Sequence, residues 1–210
     1  MKTTSDFWSL FDKKSPIIVY GHPGTGRSTF LMSLAVHNAT VNQQERSALI
    51  DCSARLTVNR LKQIAKDSAI LERILVFQPN SAWNLLEIID DIELFSKPHP
   101  QIFIDSPFWN TKPEDHRYLS YVFSKVREFF DSAASSRATF IAVNAHRAST
   151  GLVPHHRGIL ERYFDNRVLL KKSRRIHRAI VNLGDTEGLE VELRMTEAGL
   201  SVVDPNDVED

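Results

Sequence analysis

The 210-residue chain carries 42% apolar and 25% charged residues, the ordinary balance of a folded protein with one sizeable core. Its 26 Lys and Arg offset 26 Asp and Glu, so no global field draws it to nucleic acid or membrane, and any such binding needs a local patch. A single cysteine, Cys52, excludes an intrachain disulfide framework, and no apolar run reaches the roughly 18 residues of a membrane span or the form of a signal peptide. The expectation is a cytoplasmic protein (nuclear if its source is eukaryotic) with no membrane partner.

Strands and helices alternate along most of the chain. Ile17–Gly21 is a short β-branched run that ends on glycine and predicts a buried strand. Ser28–His37 follows with Phe30, Leu31, Leu34 and Ala35 at helical spacing. Ala48–Asp51 predicts a second strand and Thr57–Asp67 a helix with Leu61, Ile64 and Ala65 on one face. Ile74–Phe77, Gln101–Asp105 and Ala138–Asn144 predict three more strands, separated by helices over Trp83–Phe95 and Glu114–Ser132. Repeated βα units of this kind require a mainly parallel sheet covered by helices on both faces. After about Gly158 the pattern changes. A short helix, Ile159–Phe164, precedes three runs, Arg167–Leu170, Ile176–Leu183 and Leu189–Thr196, divided by turn-like segments, which predicts antiparallel hairpins. The organisation expected is an N-terminal segment over 1–15, a core domain over 16–203 and an acidic tail over 204–210.

The chemistry begins at Gly21-His22-Pro23-Gly24-Thr25-Gly26-Arg27-Ser28, which fits the phosphate-loop pattern G-x-x-x-x-G-[K/R]-[S/T] between an apolar strand and an amphipathic helix. Glycines let backbone N–H groups turn inward around a phosphate, and the helix behind offers its N-terminus to the anion. Residues 21–28 together with Thr29 are the candidate nucleotide-binding residues. Ser28 is the candidate magnesium ligand of the loop. Arg27 stands where lysine is usual, and a planar fork does not sit where a compact ammonium sits, which makes efficient hydrolysis doubtful. Asp105 ends its strand where a carboxylate would hold magnesium, usually through water; the alternative is an aspartate that caps the next segment. Asn144 ends the fifth strand and is either a sensor of the terminal phosphate or a cap on its own backbone.

With both loops placed, the chain resembles the RecA-like recombinases, particularly the archaeal RadA and RadB proteins and the eukaryotic recombinase paralogues, over about Pro16 to Val203. Asp51-Cys52-Ser53-Ala54 followed by Arg60–Ala65 is similar to the family's D-T-E-G…E-R-L segment. Gly158–Lys171 is similar to its G-G…L-E-x-W-x-D-x-x-L-R-L-E-K stretch, and Arg178-Ala179 followed by Glu190–Leu200 to its closing hairpin. The resemblance implies a RecA-like phosphate-loop core, ATP and Mg2+ as cofactors, and single-stranded DNA and a recombinase or paralogue as partners. It also implies that the glutamate of D-T-E-G positions the attacking water. Here Ser53 takes that place and cannot accept a proton at neutral pH, so with Arg27 two parts of the hydrolytic machinery are altered.

His146–Arg157, expected to be mobile around Gly151, occupies the place of the family's second DNA-binding loop, and Lys112, His116 and Arg117 the start of its first. Arg147, Arg157, Lys171, Lys172, Arg174, Arg175 and Arg178 are the candidate DNA contacts; the basic run 171–178 has a solvated hairpin turn as its alternative. Adjacent His155 and His156 rarely converge on one ion, so no further metal is expected. No N-terminal helix-hairpin-helix domain and no F-x-x-A polymerisation motif are found, so self-assembled filaments are not expected. Phe7, Trp8, Leu10 and Phe11 either cover one end of the core or dock on a partner. The reading that results is a recombinase paralogue in homologous recombination and DNA repair, with weak or absent ATP hydrolysis and modest single-stranded DNA binding. Two alternatives stand beside it: a slow DNA-dependent ATPase that uses Glu114 or Asp115, or a nucleotide-free scaffold for a protein partner.

Overall fold

The computed structural model describes residues 3–11, 16–42, 45–95, 100–109, 111–112, 115–131, 139–173, 176–183 and 186–203. Ten strands form one sheet in the order β10-β9-β8-β7-β1-β5-β4-β2-β3, with β6 paired to β5. The parallel part comprises β1 (Ile17–Gly21), β2 (Ser47–Asp51), β3 (Ile74–Phe77), β4 (Gln101–Asp105), β5 (Thr139–Ala148) and β7 (Asn166–Ser173). The antiparallel extension comprises β8 (Ile176–Leu183), β9 (Thr186–Thr196) and β10 (Gly199–Val202), beyond β7. The expected fold class, a mainly parallel sheet with C-terminal antiparallel hairpins, is the one observed.

The central strands β1, β2 and β4 are buried from end to end because helices cover both faces, and alternate residues feed two separate cores. Ile17, Val19, Leu49, Phe103, Phe140, Val168 and Leu170 pack on one side, with α2 (Arg27–Val41) and α3 (Val58–Ala65). Ile18, Tyr20, Ile50, Ile102, Ile104, Ile141 and Val143 pack on the other, with α5 (Ala82–Phe95) and α6 (His116–Asp131). Nine residues of α2 are buried, so this helix is clamped between the sheet and neighbouring helices rather than resting on the surface. The short helices α4 (Ser68–Leu71) and α7 (Arg157–Leu160) complete the set.

The N-terminal apolar cluster covers this chain's own core. Residues Thr4–Ser9 form α1, started by a capping box in which Thr3 and Asp6 exchange side-chain-to-backbone bonds. Phe7, Trp8 and Phe11 are buried against Phe30, with ring centroids 5.3–6.1 Å apart. The segment expected to be mobile around Gly151 is instead a hairpin: β6 (Gly151–Pro154) pairs antiparallel with the extended end of β5, Arg147 opposite Leu152. Pairing satisfies the backbone groups that the sequence left without a visible partner. The tail 204–210 lies outside the described residues.

Candidate functional site

The phosphate-loop segment follows the central strand β1, between β5 and β7. Gly24 and Gly26 take φ of 82° and 88°, a conformation that glycine adopts without steric penalty, and Gly26 caps α2. The loop is braced from within by Thr25, whose N–H and Oγ1 both donate to the His22 carbonyl at 3.2 and 2.8 Å. It is braced from outside by β8 and β9. The buried His177 ring donates from Nδ1 to the Thr25 carbonyl at 3.0 Å, the only direction a carbonyl permits. A Cβ added at Gly26 would lie 2.7 Å from Met195 Cε. Neither His177 nor Met195 was singled out in the sequence, where His177 sits inside a basic run. The signal for it was the strand's period of two, which sends Ile176 and Arg178 outward and His177 inward.

Arg27 does not point away from the loop. Its Nη1 donates to the Gly21 carbonyl at 2.8 Å, and it lies close enough to Asp105 to interact with it electrostatically. Burial lowers the guanidinium's pKa and Asp105 opposes the change, though an arginine stays charged at any ordinary pH. Ser28 and Asp105 are brought close: the Ser28 hydroxyl is near enough to favour the Asp105 carboxylate, and Ser106 Oγ donates to Asp105 Oδ1 at 3.0 Å. Asp105 is 3% exposed. Its carboxyl is held above the ordinary carboxylate range, chiefly by burial, with the Asp51 charge adding to the rise and Ser28, Ser106 and Arg27 working against it. A hydroxyl and a carboxylate close together at the end of a glycine-rich loop are donors that suit magnesium beside a nucleotide phosphate. In this arrangement Arg27 and a metal ion would draw on the same carboxylate.

The segment after β2 turns tightly around Asp51, which is fully buried and lies in register with Asp105 of the adjacent strand β4. Asp51 accepts from the Ser53 N–H at 3.0 Å, the Ser53 hydroxyl at 2.8 Å and the Leu56 N–H at 2.7 Å. Ser53 is therefore tied to Asp51. Ala54 takes φ of 52°, in the left-handed region, at the position that corresponds to the glycine of D-T-E-G in the sequence resemblance. Burial and the charges of Asp105 and Asp51 push the Cys52 thiol pKa far up, which disfavours its thiolate.

Asn144 stands beside Gly21 in the pairing of β1 with β5. Its backbone carbonyl accepts from His155 N at 2.7 Å, and its buried Oδ1 has no hydrogen-bond partner. It lines a cavity of about 180 Å³ with Ser106, Phe108, Trp109, His155 and His156. Four histidines run past this cavity in ring contact, His116 to His156 at 4.8 Å, His156 to His155 at 6.2 Å and His155 to His146 at 4.9 Å. Burial, and then the neighbouring histidines, hold the pKa values of His155 and His156 below the ordinary range. Among the described residues no three His, Cys, Asp or Glu side chains are grouped so as to hold a metal ion.

The candidate DNA contacts are spread over three places. Arg147 is exposed on the β5–β6 hairpin, and Arg157 pairs with Glu161 at 2.6 Å. Lys171 and Lys172 are exposed on β7, whereas Arg178 on β8 is paired with Glu190 and Glu192 at 3.4 and 2.9 Å. Arg174, Arg175 and Glu114 lie outside the described residues. Asp115 lines a second cavity together with Ser53, and its Oδ2 accepts from Lys112 N at 2.9 Å.

No family model matches the chain, and no curated protein matches it. A crystal structure of the RadB recombinase is similar in fold, with a TM-score of 0.74 at 17% sequence identity, over 94% of this chain and 95% of that one. Among the described residues, no helix is long and apolar enough to cross a membrane. With its sheet order, its central phosphate-loop segment and its C-terminal hairpins, the chain has the fold of the RecA-like recombinases.

Proposed function

We propose that this protein is a RecA-like recombinase paralogue that assists homologous recombination and DNA repair, binds ATP with magnesium, and turns it over weakly or not at all. One observation carries the reading. Ser28 stands beside Asp105 at a glycine-rich loop, while Ser53 and Arg27 are both turned toward groups inside the protein. Binding of a nucleotide needs the loop's N–H groups and the helix N-terminus, which are in place. Turnover needs a carboxylate aimed at water, and Ser53 donates to Asp51 instead.

In this reading residues 21–29 cradle the phosphates, Ser28 and Asp105 hold the metal, and Asn144 meets the terminal phosphate by donating from its Nδ2 amide, the donor end of its side chain. Magnesium supplies charge neutralisation for the phosphates when bound. Arg27 reaches a phosphate only by leaving the Gly21 carbonyl, which weakens binding relative to a lysine. Residues 16–203 act as the working unit. Single-stranded DNA binds modestly through Arg147 and Arg157 on one side and the 171–178 run on the other, and a recombinase or another paralogue is the protein partner.

The test is ATP binding and turnover by the purified chain with magnesium, with and without single-stranded DNA, beside Arg27→Lys and Ser53→Glu. Binding without turnover, tighter in Arg27→Lys, supports the proposal. DNA-stimulated turnover by the unaltered chain would overturn it in favour of a working ATPase. Absence of nucleotide binding, with a protein partner still bound, would leave a scaffold.

A further inference from the structure

A cavity of about 330 Å³ opens at the C-terminal ends of β2, β3 and β4, and no residue of the 21–28 loop lines it. Its volume is at the low end of sites that hold small ligands, about 300–1,000 Å³, and suits a single ring system rather than a nucleoside triphosphate. Trp109 forms one wall, Asp115 another, and Asn80, Ser81 and Ser53 contribute further polar groups around an apolar floor at Leu85. Among the described residues, Asp115 is the one acid in the lining, and no lysine or arginine lines it. A phosphate or carboxylate would meet an uncompensated negative charge there, whereas N–H donors would be welcomed.

The mouth has the opposite character. The Arg55 guanidinium lies 4.0 Å from the centre of the Trp109 ring, and Arg55 is exposed. Lys112, also exposed, follows Thr111 of the lining directly and gives its backbone N–H to Asp115. Cations at the rim with an aromatic plate and a carboxylate inside match a nucleotide unit whose phosphates stay outside while the base enters. A cationic peptide side chain, the other guest that a carboxylate attracts, would have to pass those two cations.

We propose that this cavity binds one unpaired nucleobase bearing an exocyclic amino group, stacked on Trp109 and donating to Asp115, with its phosphates against Arg55 and Lys112. The proposal rests on the reading that the chain binds single-stranded DNA, and adds a base preference that phosphate contacts alone do not give. Cytosine, adenine and guanine each offer an exocyclic amino donor to a carboxylate, whereas thymine offers only its ring N3–H.

The test uses the full chain carrying Trp83→Phe, so that Trp109 dominates the accessible tryptophan fluorescence. Cytidine and adenosine are expected to quench it at concentrations at least about fivefold lower than thymidine, and Asp115→Asn to remove the difference. In parallel, Trp109→Leu is expected to weaken binding of oligo-dC about tenfold, the scale of one lost base stack, with Trp109→Phe recovering part of the loss. Circular dichroism and thermal melts show that each variant is folded. Nucleoside quenching without oligonucleotide binding supports the cavity and sinks the DNA reading. Oligonucleotide binding that is equal for dC and dT, and indifferent to Trp109→Leu and Asp115→Asn, overturns the cavity proposal and leaves the DNA reading standing.

Discussion

Asp105→Asn is expected to raise stability and to weaken magnesium-dependent nucleotide binding at the same time. Asp105 is 3% exposed and faces the charge of Asp51 on the neighbouring strand. Its folded-state pKa is raised, so between the unfolded value, about 3.9, and that raised value the folded chain holds more protons than the unfolded one. Stability therefore falls as pH rises through this window, as the cost of the buried charge develops. An asparagine keeps an oxygen for the Ser106 hydroxyl and removes the charge. The site disfavours the ionised form even with Arg27 beside it, and relief of about 1 kcal/mol moves Tm in a chain of this size by about 2–4 °C. Thermal melts at pH 7 and pH 4 measure this, and the advantage of the variant should shrink in acid. Magnesium-dependent ATP affinity should fall about 10–100-fold, the usual loss when a partner of a metal's bound water is removed. A variant less stable than the parent at pH 7, or a gain that does not change with pH, would refute the electrostatic account of Asp105.

Ala54→Gly should stabilise the chain by about 0.5–1 kcal/mol in urea unfolding, because the relief of a left-handed alanine exceeds the added freedom of the unfolded chain; a loss would contradict that conformation. His177→Ala removes the bond to the Thr25 carbonyl and leaves a void under the loop. It should cost about 2–3 kcal/mol, lower Tm by about 4–12 °C and reduce nucleotide affinity, which calorimetry measures. Ser53→Glu should cost about 1–2 kcal/mol at pH 7 in the same unfolding assay, since it takes a hydroxyl from Asp51 and sets a third carboxylate beside Asp51 and Asp105. That cost should lessen toward pH 4.

The glycine-rich turn after β1 and the parallel core were readable because local pattern decides them. Strands β1, β3 and β4 are short apolar runs whose bounds match the sequence reading, and glycines at 21, 24 and 26 mark the loop. Helix α1 was missed although Thr3 and Asp6 spell its capping box, because the phenylalanines and tryptophan around it read as a patch rather than a periodic face. Strand β6 and strand β10, which starts at Gly199, are the returns of tight hairpins, with Arg147 opposite Leu152 and Met195 opposite Leu200; each is only four residues long, too short for an alternating pattern to show. The wall of the 330 Å³ cavity was hidden for a different reason. Trp109, Asn80 and Ser53 follow three different strands, and only the sheet order, which sets β4, β2 and β3 side by side, brings them together.

Arg27 and Ser53 were read in the sequence as two separate losses, and the structure relates them through electrostatics. Asp105 and Asp51 end neighbouring parallel strands in register, so two carboxylates are buried where the fold directs its ligands. Each is steadied by one of the altered positions. Arg27 sets its charge near Asp105, and Ser53 gives its hydroxyl to Asp51. A buried charge needs a partner or it costs several kcal/mol, so both residues stabilise the empty loop in a way that an extended lysine and a water-directed glutamate would not. The same contacts must be loosened before a metal ion can take Asp105. In the proposed reading, stability without ligand and readiness for turnover draw on the same side chains, which sets this chain on the side of stability.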